Sequence, residues 1–209
     1  MVDRFLAVYP PATSAFAPVV RGNSAAANLE GFAFAIINAV HQAAVTFVGQ
    51  NAGAEKYDRV VRVTRNAYII SMLCATGFAL LLFFLKTPLF ALYGVVDGAV
   101  GTLEHAAYES GTLRLVYHLL PFPVYAFMDV GAGVARGLKK SISSTVLTLI
   151  GTCLLRVLWL LIAFPILFSL ECIFISYPMS WLITGIAQAL LVFLALRPKL
   201  RAQQSKTAP

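Results

Sequence analysis

The sequence predicts an all-α fold: a polytopic transmembrane helical bundle of about five helices, and three observations predict it. The chain is 59% hydrophobic and only 12% charged, with mean hydropathy +0.80, whereas soluble domains are near half apolar and a quarter charged. Five apolar stretches, at about 25–48, 64–85, 112–134, 142–168 and 172–196, each approach or exceed the ~20 residues a helix needs to cross ~30 Å of hydrocarbon. Basic residues gather in every second connection between them, as they do beside a membrane.

Residues 1–21 read as an irregular segment. Pro10, Pro11 and Pro18 break it, and no uninterrupted apolar core marks a cleavable signal peptide. Residues 22–198 form the membrane domain. Its five stretches lack the ten-residue alternation of a barrel strand, and only helices or closed barrels satisfy their backbone in lipid, so all five are expected to be helices. The connection 86–111 is the longest. It begins Pro88-Leu-Phe-Ala-Leu-Tyr93, an apolar and aromatic run suited to an interface, with Tyr93, Tyr108 and Tyr177 expected near headgroup depth. Residues 199–209 read as a polar tail.

Charge sets the direction of the crossings. Lys56, Arg59, Arg62 and Arg65 lie between the first two stretches. Arg136, Lys139 and Lys140 follow the third, and Arg197, Lys199, Arg201 and Lys206 follow the fifth. Together they are eleven of the 16 basic residues. The positive-inside rule then places these segments and the C-terminus of a multi-pass chain in the cytoplasm. Five crossings would leave the N-terminus outside, an arrangement that a further upstream helix would relieve. The net charge of +7 is thereby a membrane signature, and no nucleic-acid partner is expected.

Polar groups at bilayer depth are costly, which makes them functional candidates. Asn38, His41 and Gln42, spaced i, i+3 and i+4, are expected to share a helical face. Two readings compete there: a substrate-cavity lining, or interhelical hydrogen bonds of ~0.6–2 kcal/mol each. Asp129 lies eight residues from Gly137, about 12 Å deep. It is the candidate for coupling a proton or sodium ion, against the plainer reading of a structural pair. Arg156 is the structural ion-pair candidate, with Asp129 offset by about 9 Å along the bilayer normal, near the limit of an arginine side chain. Pro121 and Pro123 are expected to kink the third stretch.

Cys74, Cys153 and Cys172 sit in or beside apolar runs without CxxC spacing. His41, His105 and His118 form no HExxH, and the chain has no GxGxxG or Walker loop. No enzyme, metal site or cofactor is expected beyond H⁺ or Na⁺ as a coupling ion.

Several stretches carry a family resemblance in order. They are GNSAAANLEGFAF, QAAVTFVGQNAGAEKYDRV, FMDVGAGVARGLKKS, GTCLLRVLWL and ECIFISYPMSW. From about Ser14 onward the chain resembles the C-terminal lobe of bacterial MATE (multidrug and toxic compound extrusion) efflux proteins. The resemblance implies a transporter of two six-helix lobes that exports small amphipathic or cationic organic compounds by alternating access, as a cation-coupled antiporter. The five stretches would be its eighth to twelfth helices, with only a remnant of the seventh before Gly22 and a need for the missing N-terminal lobe. It also makes Asp129 the counterpart of the acid carried on the third stretch. Alternatives are a lipid-linked sugar flippase of the same superfamily and a non-functional truncated fragment.

Overall fold

The computed structural model describes residues 16–167 and 170–207. Its helices are α1 (Phe16–Gly53), α2 (Tyr57–Phe84), α3 (Lys86–Leu92), α4 (Leu103–Leu119), α5 (Phe122–Gly137), α6 (Ser141–Thr148), a π-helical segment (Leu149–Leu154), α7 (Leu155–Leu167) and α8 (Leu170–Thr207). No strand occurs among the described residues. Among the described residues four helical stretches are long and apolar enough to cross a membrane, and the bent α4–α5 pair supplies a fifth if counted as one span.

The 38 residues of α1 extend about 57 Å, well beyond the hydrocarbon. Residues 16–21, expected as the end of a preceding helix, instead begin α1 without a break. Gly22 permits this. A Cβ there would stand 2.6 Å from the carbonyl carbon of Ala107, so α1 and α4 cross at backbone contact. The rest of the expected irregular segment, residues 1–15, lies outside the described residues.

The expected single span at 112–134 is two helices, α4 and α5, meeting at 47°. Pro121 has no N–H to donate backward, and Pro123 follows in the first turn of α5, where a missing donor costs nothing. The expected long loop at 86–111 is correspondingly shorter, because α3 and the first half of α4 occupy much of it. Thr102 caps α4 by accepting the His105 N–H at 3.2 Å.

The C-terminal stretch is not a loose tail. α8 continues to Thr207, and Gln203 meets the start of α2. Its Oε1 accepts the Tyr57 N–H at 2.9 Å, and its Nε2 donates to Asp58 Oδ2 at 2.9 Å. A side chain from α8 thus satisfies one of the orphan donors at the N-terminus of α2. Leu138, Val48, Val60 and Leu196 share one core cluster at this end, so the three basic segments lie at the same end of the bundle.

Small residues build the second cluster. Ala25, Ala26, Ala33, Ala75, Ala79 and Ala107 let helices approach closely, the packing expected where lipid provides no hydrophobic drive between helices. Outward faces are apolar instead: Leu149, Leu161, Ile162 and Ile166 are exposed along the fourth span.

Candidate functional site

Beside the alanine-rich cluster, with Phe34 and Tyr125 common to both, lies a cavity of about 350 Å³. Its lining includes Glu30 from α1, Arg114 and His118 from α4, Asp129 from α5, Arg156 from α7 and Tyr177 from α8. Four of the long helical stretches therefore contribute a polar or aromatic group to one space.

Glu30 is buried at 2% exposure. Its carboxylate accepts from Arg114 twice, Nε to Oε1 at 3.0 Å and Nη2 to Oε2 at 2.9 Å. His118 Nδ1 stands 3.3 Å from the same carboxylate. Arg114 Nη1 also donates to Asn23 Oδ1 at 3.0 Å. The bidentate fork is the strong form of this contact, and it neutralises Glu30 within the cavity.

Asp129 is paired differently. His41 Nδ1 lies 3.1 Å from Asp129 Oδ2 and 2.9 Å from the Asp129 carbonyl oxygen. On the far side of the ring, Arg136 Nη1 lies 3.2 Å from Nε2. A guanidinium can only donate, so Nε2 must accept and the proton must sit on Nδ1. His41 in this arrangement bridges Arg136 to Asp129, accepting at Nε2 and donating from Nδ1.

Arg156 makes no ion pair with Asp129. No described carboxylate lies within 4.0 Å of its guanidinium. Its Nε donates to Ser180 Oγ at 2.9 Å, and its guanidinium lies 4.0 Å from the Tyr177 ring centroid. Tyr177, expected at headgroup depth, is therefore turned inward. The expected pair fails because the hydroxyl and aromatic face of α8 hold Arg156 first, while His41 occupies Asp129.

Asn38, His41 and Gln42 do not act as one face. His41 is buried at 3% and turned toward α5, whereas Asn38 and Gln42 are exposed on the outside of α1, away from the cavity lining. At 3.6 residues per turn, neighbours such as His41 and Gln42 diverge by about 100°. The buried boundary of α1 passes between them.

The MatE family model matches residues 19–162. The chain belongs to the MatE family. MatE members are membrane transporters, and this MatE chain is accordingly a multi-pass membrane protein of an efflux-transporter superfamily. No curated protein and no solved structure matches it. Glu30, Arg114, His118, Asp129 and Arg156 all fall inside the matched region, while the α8 residues that hold Arg156 lie beyond it.

In this MatE chain the group missed by sequence reasoning is Glu30, with Arg114 and His118. Glu30 sits inside the first apolar stretch, and an acid there calls for a cation on another helix. Arg114 and His118 are spaced i, i+4 on α4, the signal that was present. The π-helical segment had no sequence signal at all. Successive steps of four residues overshoot an α-helical turn, and the wider π turn takes up the excess. Thr148, Thr152 and Arg156 thereby all reach the cavity. Among the described residues no three His, Cys, Asp or Glu side chains come together as a metal site.

Proposed function

We propose that this chain forms the ion-coupled half of an antiporter that exports small organic compounds by alternating access, with Asp129 as the site where a proton or sodium ion binds. The observation that supports the reading is the Asp129 carboxyl beside a cavity at bilayer depth, met by an imidazole rather than by an arginine. A carboxylate neutralised by a fixed cation has nothing left to offer a mobile one; this carboxylate does.

Cation entry would change the His41–Asp129 contact and so the fit of α1 against α5, two helices whose relative position shapes the cavity. Broken helices are common where transporters bind and bend, and α4–α5 meets at such a break. Asn38 and Gln42, exposed at membrane depth on α1, are best satisfied by a second helical lobe across the transport path, because lipid offers them no partner. Export by this chain therefore requires that lobe. The organic substrate is amphipathic or cationic, the membrane is the plasma membrane, and the basic end of the bundle with the C-terminus is cytoplasmic.

The test is gradient-driven uptake of a cationic dye into proteoliposomes that contain the chain together with a first lobe. Asp129→Asn keeps the shape and an oxygen acceptor for His41 but removes the charge, so dye movement should no longer respond to a proton or sodium gradient. Unchanged coupling in the variant would remove the ion site. Robust gradient-dependent transport by the chain without a first lobe would remove the requirement for two lobes.

A further inference from the structure

After the internal pairs are counted, two ionisable groups in the cavity have no arginine, lysine or carboxylate partner among the described residues. Glu30 and Arg114 pair with each other. Asp129 is met by His41, and Arg156 by a hydroxyl and a ring face. We propose that Arg156 receives the anionic group of the transported molecule. On this view the cavity selects aromatic amphiphiles that carry a carboxylate as well as an amine, with the amine directed to Asp129. The inference rests on the reading of this cavity as the transport path.

The geometry around Arg156 is that of a prepared receptor. Ser180 takes Nε alone, and the other guanidinium N–H groups make no hydrogen bond among the described residues. The Tyr177 ring centroid lies 4.0 Å from the guanidinium carbon, with the Trp181 centroid at 6.0 Å. An arginine held against an aromatic face with donors to spare suits a bidentate carboxylate.

Depth and volume narrow the class further. Arg156 lies near the middle of the apolar stretch Ser141–Ile166, far from where a phospholipid headgroup sits. A cavity of about 350 Å³ is at the small end of sites for drug-sized molecules. Tyr125, Tyr177 and Trp181 line it, offering flat surfaces to an aromatic body between the two charges.

Isothermal titration of the purified chain in nanodiscs tests the proposal with three probes: naphthylalanine, naphthylethylamine, which lacks the carboxylate, and naphthylpropionate, which lacks the amine. The wild type should bind naphthylalanine about tenfold or more tightly than the amine. Arg156→Gln should weaken both carboxylate probes by about ten- to hundredfold and leave the amine within about twofold. Arg156→Lys keeps the charge and should keep most of the preference, which separates charge recognition from loss of fold. Equal weakening of all three probes in Arg156→Gln, or no wild-type binding of naphthylalanine, overturns the proposal. So does displacement of naphthylpropionate when phosphatidylglycerol replaces phosphatidylcholine in the disc, because the receptor would then serve a lipid headgroup. If binding behaves as expected but no gradient moves naphthylalanine across proteoliposomes containing both lobes, the transport reading fails and the anion subsite stands.

Discussion

His41 contacts Asp129 twice, through the carboxylate oxygen Oδ2 at 3.1 Å and the backbone carbonyl at 2.9 Å. One side chain of α1 is thus locked to both the backbone and the side chain of a single residue on α5. With Arg136 donating to the other ring nitrogen at 3.2 Å, the imidazole spans two groups that form no direct ion pair. The contact couples the acid in the cavity to the packing of two helices.

Replacing His41 by Phe retains a flat ring but deletes both nitrogens. Asp129 loses its donor and Arg136 its acceptor. The loss should be about 1–3 kcal/mol, the usual cost of leaving a partly buried polar group unmet. Chemical unfolding in detergent checks it, and an unchanged midpoint would show that water replaces the imidazole without loss.

Glu30 and Arg114 should behave as a unit. Glu30→Ala leaves a guanidinium unpaired in the membrane interior and should cost about 3–5 kcal/mol. Combining it with Arg114→Met removes both charges and should recover most of that loss. A double-mutant cycle measures the coupling, and simple additivity would mean that the bidentate pair contributes little.

Gly151 lies where the π-helical segment meets α8. A Cβ there would stand 2.9 Å from the Cβ of Thr184 and would overlap its hydroxyl. Gly151→Ala should therefore destabilise the protein by about 1–3 kcal/mol, and Thr184→Gly in the same chain should relieve much of it. The thermal midpoints of the single and double variants decide this. If the second change brings no relief, the segment does not depend on close approach to α8.

Cysteine labels introduced at Arg59 and Lys139 should react with a membrane-impermeant maleimide from the same side of the bilayer, because both lie at the basic end of the bundle. Reaction from opposite sides would overturn both the topology and the arrangement of α2 and α5. Gln203→Ala should separately loosen the start of α2, read as faster amide exchange at Tyr57.

Legibility differed sharply between the spans and the site. The apolar lengths that became α1, α2 and α8 could be read directly, since a backbone in lipid must close its own hydrogen bonds and helices are the local way to do so. Their ends could not. α1 and α8 outrun the hydrocarbon because Gly22 meets Ala107 and Gln203 meets Tyr57, contacts between residues far apart in the chain. Asp129 and Arg156 were visible as charges at depth, but their partners were not.

By itself the amino-acid sequence determined the solvent, the helical class, the family and the presence of costly charges inside the membrane. These follow from composition, span length and local motifs. Tertiary structure alone decided that His41 holds Asp129, that Arg114 neutralises Glu30 and that Arg156 meets Ser180 and the Tyr177 ring. An apolar run specifies that a helix will be buried in lipid, while the rotation of one helix against another specifies which charge meets which, and that rotation is set by close contacts such as Gly151 on Thr184.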